Sequence, residues 1–335
     1  MQKQLFFSVI FYFLCTSLFS QAQFLTYYQS INAAESNIIK QQHRQADSCF
    51  ATAFNLDSVK GFNQDYLTAS INAYLLKDTA LLTKYLLAFA ARGGNYTMLK
   101  NSIPANALLE LYAKPILGFI NLPQNKLLKQ QMQAALKAYK KTLNKKISHK
   151  INYIYYSDQF VARTFSLLLR PKRGADLMEK TDRKNAHRLL VICQTYGWPG
   201  FNEVGEFKPY GKYGLSKFNI LIRHFTQDEL DKIEPYVIAA IKKVNACPDD
   251  WAAAIDYCAI KQPTYNDSLK AYEMQQIYGT QGNGMDKSGE LIPFGNIDDV
   301  NRARQSLFLI NIQDYCELRN KKLPEKEFLL IPKTQ

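Results

Sequence analysis

Apolar residues recur at spacings of three and four through most of the 335-residue chain, which is the period of helices that bury one face. The run from Ala46 to Phe54 is an example, because its small and apolar residues fall on one helical side. The pattern predicts an all-α, mainly helical protein. We expect helical hairpins over residues 23–122, a mostly helical C-terminal domain with irregular loops over residues 151–325, and a short tail over residues 326–335.

The N-terminal hairpins carry a loose internal repeat. Ala80 follows Ala46 by 34 residues and Leu87 follows Ala53 by the same interval, which is the period of tetratricopeptide repeats. This region therefore resembles degenerate helices of such repeats, although it lacks their signature Trp, Gly and Tyr positions. Two interpretations stay open: a peptide-binding repeat, and ordinary α-hairpins packed on the next domain.

Residues 123–150 predict one long, basic amphipathic helix that links the two regions. Between Lys126 and Arg188 the chain has 16 Lys and Arg against four Asp and Glu, so this segment holds most of the formal net charge of +13. Such a segment either faces an anionic partner or surface, or is an ordinary solvated helix exterior. The linking helix lacks the interleaved aromatic residues of single-strand binders, so we expect no nucleic acid partner.

The first 22 residues have the layout of a secretory signal peptide. Lys3 supplies the positive start, Leu5 to Phe19 is almost continuously apolar, and small residues precede a cleavage point after Ala22. Bulky residues precede Cys15, where a lipid-attachment site needs small ones, so we expect no lipoprotein. We expect export to the periplasm or the exterior, with no transmembrane segment once the signal is removed, because no other stretch approaches the ~20 apolar residues of a spanning helix.

Cysteine and histidine positions predict neither a metal site nor a disulfide framework. Past the signal peptide, five cysteines remain without CxxC spacing, with Cys247 and Cys258 the least remote pair. The four histidines form no HxxxH or HExxH pattern. The chain also lacks a phosphate loop, a dinucleotide fingerprint and a nucleophile elbow, so we expect no metal and no cofactor.

The C-terminal half carries a series of short polar motifs. In chain order they are Tyr155-Tyr156-Ser157-Asp158-Gln159-Phe160-Val161-Ala162-Arg163, Asp182-Arg183-Lys184-Asn185, Tyr196-Gly197-Trp198-Pro199, Arg223-His224, Ala254-Ile255-Asp256, Gln276-Ile277-Tyr278-Gly279-Thr280-Gln281 and Asp299-Val300-Asn301-Arg302-Ala303-Arg304. Over about residues 150–320 the series resembles the bacterial family called domain of unknown function 6624. The resemblance implies a mostly helical domain and no particular activity.

Three positions depart from that family's pattern. Arg223 stands where the family usually has Gln, Tyr257 stands where it tends to have Arg, and Phe308 replaces a usual glycine. If the family's site needs that amide or that guanidinium, these departures change its chemistry here.

His224 is the most promising ionisable group. The apolar run before it predicts a helix that ends near His224, and Thr226 to Glu229 has the spacing of a capping box that starts the next helix. A helix C-terminus favours the protonated ring, so we expect a raised pKa that suits a general acid or an anion clamp. The alternative is a capping histidine bonded to the last carbonyls of the helix.

The run from Gln276 to Gln281 is dense in uncharged polar groups. If it is extended, Gln276, Tyr278 and Thr280 share one side, a row that suits sugars, amides or peptide groups. The alternative is a loop whose side chains satisfy buried backbone groups. Trp198, which lies in a Gly-Trp-Pro turn, is either a core residue or a pocket wall.

Two functions are compatible with these residues. The first is an exported binding or interaction protein that recognises a polar ligand or protein partner. The ligand-binding candidates are Asp158, Gln159, Arg163, Trp198, Gln276, Thr280, Gln281 and Arg304. The second is a hydrolase or lyase on a cell-wall, glycan or peptide substrate, in which His224 and Tyr278 act as acid and base and Asp158 or Asp256 orients the imidazole. The absence of a recognised catalytic motif favours the first function.

Overall fold

The computed structural model describes the chain in segments. These are residues 23–57, 59–95, 107–168, 171–205, 217–261, 264–266, 271–274, 276–281, 291–292, 294–319, 321–324 and 329–332, with the side chains of 107–110, 162–175, 217, 264–266, 271–274 and 329–332 excepted. The predicted signal peptide, residues 1–22, and the Arg163 side chain lie outside the described part.

Helical hairpins form the N-terminal part, as the apolar period predicts. The helices are α1 (residues 23–39), α2 (His43–Phe54), α3 (Asn63–Leu75), α4 (Thr79–Ala91) and α5 (Ala107–Ile120). Asp78 starts α4 by accepting a hydrogen bond from the Leu81 backbone N–H at 2.9 Å, which satisfies one of the free donors at the helix start. The fold is mainly helical, so the predicted class is confirmed.

The predicted 34-residue register of the repeat is wrong. Ala46 is buried in α2, whereas Ala80 is exposed at the first turn of α4. The buried positions of α2 recur in α4 after 36 residues instead, as Ala46, Phe50 and Ala53 against Leu82, Leu86 and Phe89. The physical reason is the cap at Asp78, which sets where α4 begins. Ala80 therefore lies in the first turn of α4 and faces solvent.

The C-terminal part is built from further helices and one small sheet. The helices are α6 (Lys126–Thr142), which follows a 3₁₀ turn at Pro123–Asn125, then α7 (Lys145–Leu168), α8 (Pro171–Tyr196), α9 (Phe201–Val204), α10 (Lys217–Ile222), α11 (Gln227–Ile241), α12 (Pro248–Lys261), α13 (Ile297–Ser306) and α14 (Ile312–Leu318). Within the described segments, no helix is long and apolar enough to cross a membrane.

The sheet is a feature that the sequence did not predict. Its strands are β1 (Thr264–Asn266), β2 (Ala271–Met274) and β3 (Leu329–Pro332), antiparallel in the order β1-β2-β3. The third strand comes from the predicted tail and pairs with β2, so that Met274 lies opposite Leu329. Strands of three and four residues are too short to show a period of two in the sequence.

The predicted single basic helix over residues 123–150 is also wrong, because it is divided into α6 and α7. Leu143 is extended, with φ −71° and ψ 144°. The Asn144 side-chain oxygen then accepts a hydrogen bond from the Ile147 backbone N–H at 3.1 Å, and the Asn144 backbone N–H donates to the Glu203 carbonyl at 2.6 Å. Asn144 therefore acts as the cap that starts α7.

Helix α1 packs on the C-terminal part rather than only on the hairpins. The Tyr28 hydroxyl donates to the Ile241 carbonyl at 2.9 Å, and the Asn32 side chain donates to the Phe308 carbonyl at 2.9 Å. The largest cluster of buried apolar side chains runs from Phe24 to Leu309. One hydrophobic core thus extends across the domain boundaries expected from the sequence.

Phe308 joins these two parts in an unusual backbone conformation. Its φ is +61°, in the left-handed region that favours glycine. The ring lies 5.3 Å from the Phe24 ring, edge to face, and 5.3 Å from the Tyr28 ring, stacked. The position where the family resemblance implies glycine therefore has glycine-like geometry, and the aromatic contacts offset the strain.

We predict that Phe308→Gly is less destabilising than Phe308→Ala. Both variants lose the contacts of this half-buried ring to the same extent, but only alanine keeps the left-handed strain of about 1–2 kcal/mol. Urea unfolding should therefore give Phe308→Gly the higher free energy of unfolding. Phe218, which lies in α10, is the matched control, because glycine in a helix should be worse than alanine by about 1 kcal/mol. The same order at both positions would contradict the argument.

Candidate functional site

The Asp256 carboxylate holds the Gln276–Gln281 loop from inside the protein. Asp256 lies on α12 with no solvent exposure. Its Oδ1 accepts hydrogen bonds from the N–H groups of Ile277 at 2.7 Å and Tyr278 at 2.8 Å. Its Oδ2 accepts from the N–H and the hydroxyl of Thr280, each at 2.7 Å. Both carboxylate oxygens are therefore engaged with the loop.

The two glutamines of the loop bind backbone groups as well. The Gln276 side chain donates to the carbonyls of Gln281 and Ile292 and accepts from the Gln281 N–H. The Gln281 side chain donates to the Ala253 carbonyl at 2.8 Å. The polar row on one side of an extended segment does not form, because Gly279 turns the chain with φ +67°.

Arg304 supports the same loop from α13. It is fully buried, its Nη1 donates to the Tyr278 carbonyl at 2.8 Å and its Nε donates to the Ile310 carbonyl at 2.6 Å. The guanidinium also lies 4.5 Å from the centre of the Tyr315 ring. A methyl group on Gly279 would come within 2.8 Å of Ile312 Cδ1, so the loop is closely packed on both sides.

Burial is the main influence on the pKa values of the two ionisable groups at this loop, Asp256 and Tyr278. It raises the pKa of Asp256, while the hydrogen bonds from Tyr278, Thr280 and Ile277 act in the opposite direction. Burial and the nearby Asp256 charge raise the pKa of Tyr278 to about 12. A phenol with that pKa is a weaker acid than usual, and the Asp256 oxygens are occupied. The loop geometry corresponds to the structural alternative that the sequence left open.

A second cluster surrounds His224, in the turn after α10. His224 Nδ1 lies 3.7 Å from Asp182 Oδ2, with side-chain exposures of 25% and 14%. Asp158 on α7 is buried, acts on Asp182 through its charge and a hydrogen bond, and accepts a hydrogen bond from the Gln159 side chain at 2.8 Å. Two carboxyls and an imidazole thus meet at a half-buried place.

The pKa values in this cluster move in opposite directions. Burial, and then the neighbouring Asp158 charge, raise the pKa of Asp182 to about 7. Burial lowers the pKa of His224, and the cations Lys261, Arg223 and Arg183 add to that effect, although Asp158 opposes it. The predicted rise in the His224 pKa is therefore wrong: α10 has only six residues, so its dipole is small beside desolvation.

The Arg183 side chain stabilises the turn that carries His224. Arg183 pairs with Glu229 and donates to the His224 carbonyl at 2.6 Å. Glu229 also completes the predicted capping box with Thr226, which is confirmed. The turn that carries His224 is therefore fixed both by the cap of α11 and by a guanidinium from α8.

Arg223 connects the cluster with the loop. Its guanidinium lies 4.5 Å from the centre of the Tyr257 ring, and its Nη2 donates to Gln281 Oε1 at 3.4 Å. Arg223 and Tyr257 are two of the positions that depart from the family pattern, and the structure brings them into contact. Arg223 thus places a guanidinium beside Tyr257.

The predicted site residues therefore form two groups rather than one. The first is His224 with Asp158 and Gln159, and the second is the loop with Asp256 and Arg304. Trp198 belongs to neither: it is buried, with its ring 4.7 Å from that of Phe218.

Sequence reasoning missed Asp182 and Lys261 as members of the His224 cluster. The available signal was the hairpin of α7 and α8. Ser157 donates to Asn185 at 3.0 Å, and in an antiparallel pair with this register Asp158 on one arm faces Asp182 on the other. Asp158 and Asp182 lie at similar distances along the chain from the junction of the two helices. Their pairing could therefore have been predicted only by first assuming that α7 and α8 form a hairpin.

A small cavity lies elsewhere, between α1, the start of α3, the start of α12 and the end of α14. It has a volume of about 60 Å³, and Glu35, Asp65, Asp249 and Arg319 are among its lining residues. Burial raises the pKa of Glu35 to about 8, against the nearby Arg319 charge. Burial also raises the pKa of Asp65 to about 7, against its hydrogen bond with Tyr27.

The described residues include no group of three or more His, Cys, Asp or Glu that could hold a metal ion. The cysteines among them are free thiols, including Cys247 and Cys258. Comparison with known proteins finds no matching family model, no matching curated protein and no matching solved structure. Membership of the family that the motifs resemble stays a prediction.

We predict that Asp256→Ala unfolds the Gln276–Gln281 loop and lowers the free energy of unfolding by about 3 kcal/mol, since three N–H groups and one hydroxyl of the loop lose their acceptor. Urea unfolding and hydrogen exchange of the loop amides measure this. The exposed Asp299 on α13 is the control, and its alanine variant should change stability by less than about 0.5 kcal/mol. Unchanged exchange in Asp256→Ala would contradict the role of this carboxylate.

We also predict that Glu35→Gln flattens the dependence of thermal stability on pH. Because the pKa of Glu35 is about 8 in the folded protein, this carboxyl holds its proton more tightly in the folded than in the unfolded state. Its contribution to the free energy of unfolding is therefore fully present below the unfolded pKa and is lost as the pH rises toward 8. The melting temperature of the variant, relative to wild type, should therefore be higher at pH 8 than at pH 5. The exposed Glu317 provides the control, and its glutamine variant should keep the wild-type slope. Parallel curves for Glu35→Gln and wild type would refute the prediction.

Proposed function

We propose that this chain carries out general acid–base chemistry on a polar substrate, as a hydrolase or a lyase, with Asp182 and His224 as the proton-transferring pair. The observation that carries the proposal is the 3.7 Å approach of Asp182 to His224 beside the buried Asp158. Titratable groups whose environments push their pKa values apart are typical of acid–base sites.

Each group has a protonation state suited to its role. Two neighbouring carboxyls disfavour double ionisation, and the pKa of Asp182 near 7 keeps a proton available to a leaving group. The lowered pKa of His224 keeps the imidazole neutral, so it can accept a proton from water or from the substrate. Asp158 is then a positioning residue that maintains the Asp182 proton.

The charges around the cluster favour an anionic or strongly polar substrate. Lys261, Arg223 and Arg183 all act electrostatically on His224. A glycan or peptide polymer with carboxylate or amide groups, as in a cell wall, fits this environment. Tyr278 and Asp256 have no part in the proton transfer in this proposal, since the Asp256 oxygens are engaged with the loop and the phenol is a weak acid.

We predict that Asp182→Asn and His224→Gln each lower turnover of dye-labelled peptidoglycan or protein substrate by at least about 100-fold, the usual size of a general acid or base contribution. Asp176, exposed on the same helix, is the control, and Asp176→Asn should keep full turnover. Near-ultraviolet circular dichroism verifies folding of each variant. The activity of wild type should fall on the alkaline side near pH 7, where Asp182 loses its proton.

A second measurement needs no substrate. In carbon-13 NMR of labelled aspartate, Asp158→Asn should lower the pKa of Asp182, because the neighbouring negative charge that raises it is removed. An unchanged Asp182 titration, or Asp182→Asn and His224→Gln variants as active as Asp176→Asn, would refute the proposed pair.

A binding or interaction protein is the second candidate function. The polar atoms of Gln276 and Gln281 are engaged with backbone groups and, for Gln281 Oε1, with Arg223, which weakens recognition through those side chains. The observation that favours a binding role is different: α7 exposes three large aromatic side chains beside basic residues, and contiguous exposed apolar surface is typical of interaction sites.

A further inference from the structure

The hairpin of α7 and α8 exposes both aromatic and basic side chains on its outer side. The two helices are antiparallel: Lys150 Nζ lies 5.4 Å from the centre of the Tyr196 ring, and the Arg188 guanidinium lies 5.0 Å from that of Tyr153. Earlier residues of α7 thus meet later residues of α8. The hairpin therefore presents two neighbouring helices side by side.

Large apolar side chains are exposed along this outer side. On α7, Tyr153, Tyr156 and Phe160 are 59%, 54% and 67% exposed, and their spacings of three and four put them on one side of the helix. On the neighbouring α8, Val191 and Tyr196 are each 44% exposed, but their spacing of five residues does not put them on one side of that helix. We call Tyr153, Tyr156 and Phe160 the aromatic face. Buried aromatic side chains normally stabilise a core, so several exposed together indicate a surface that becomes covered.

Basic side chains border the aromatic face. Lys145, Lys146, His149 and Lys150 are exposed on α7 before Tyr153, and Lys184 and His187 are exposed on α8. The single acid in the sequence of α7 is Asp158, which is buried. With 16 Lys and Arg against four acids between residues 126 and 188, the hairpin lies in the most positive part of the chain.

We propose that the aromatic face and its basic border dock the protein on the surface of an anionic phospholipid bilayer. Tyrosine suits the headgroup level because it combines an apolar ring with a polar hydroxyl. Phenylalanine enters the acyl boundary, and lysine and arginine at the border are attracted to anionic lipid. The charge of the segment is complementary to such a surface.

Docking in this way is independent of the acid–base cluster. Asp158 lies on the buried side of α7, between the exposed Tyr156 and Phe160 in sequence, and faces Asp182 and His224 within the protein. The bilayer would cover the outer side of the hairpin, whereas the cluster lies on its inner side. The two proposals can therefore fail separately.

Sedimentation with vesicles tests the proposal directly. We expect binding to phosphatidylcholine vesicles that contain about 30% phosphatidylglycerol, at least about 10-fold weaker binding to phosphatidylcholine alone, and loss of binding at high salt, because surface charges are then screened. The triple variant Tyr153→Ser, Tyr156→Ser, Phe160→Ser and the double variant Lys146→Glu, Lys150→Glu should each bind at least about 10-fold less. Leu111→Ser on α5, at a side chain 65% exposed, is the matched control and should bind as wild type does.

Fluorescence provides a second reading. The natural tryptophans, Trp198 and Trp251, are both buried, so Phe160→Trp adds one exposed reporter. Its emission should shift to shorter wavelength with phosphatidylglycerol vesicles and be quenched by brominated lipid.

Three results would overturn the proposal. They are absence of binding to any vesicle, equal binding by the triple variant and wild type, and a dimer in light scattering that the triple variant abolishes, which would assign the face to a second copy of the chain. Asp182→Asn should bind vesicles normally whether or not it is inactive, so failure of the catalytic proposal is distinguishable from failure of this one.

Discussion

The buried carboxylate of Asp256 is the interaction on which the C-terminal part depends. It accepts four hydrogen bonds from the Gln276–Gln281 loop, which follows β2, and a buried charge is tolerable only with such partners. Two residues further along the same helix, the Cys258 thiol lies 3.8 Å from the carbonyls of Ile222, Arg223 and Phe225. Helix α12 therefore fixes both the polar loop and the turn that carries His224, so loss of Asp256 would disturb the site indirectly.

This arrangement separates residues that look functional from residues that are available for chemistry. The Gln276–Gln281 loop has the densest polar sequence, yet its amides, its threonine and its supporting Asp256 and Arg304 are engaged with one another and with backbone. In the neighbouring cluster, Asp182 and His224 combine shifted pKa values with partial exposure. The segment with the most polar sequence is therefore a structural loop. The proposed proton transfer is assigned to the neighbouring cluster of Asp182 and His224.

The hairpin of α7 and α8 combines two opposite sides. Its inner side contributes Asp158 and Asp182 to the cluster, and its outer side exposes Tyr153, Tyr156 and Phe160 beside lysines. A helix can do both because residues three and four apart share a side, whereas residues two apart point away from each other. The docking and the acid–base chemistry proposed above therefore use opposite sides of α7.

Local patterns in the sequence determined the helical class and the capping box of Thr226 and Glu229, because each depends on residues within a few positions. The tertiary structure decided what depends on distant contacts. The pairing of Asp158 with Asp182 needs the register of a hairpin, and the lowered pKa of His224 comes from burial and from cations on other helices. The break at Asn144 depends partly on Glu203. Above all, the sequence of the Gln276–Gln281 run is compatible both with a ligand site and with a structural loop. Only its contacts with Asp256 and Arg304 show that its backbone groups are bound within the fold.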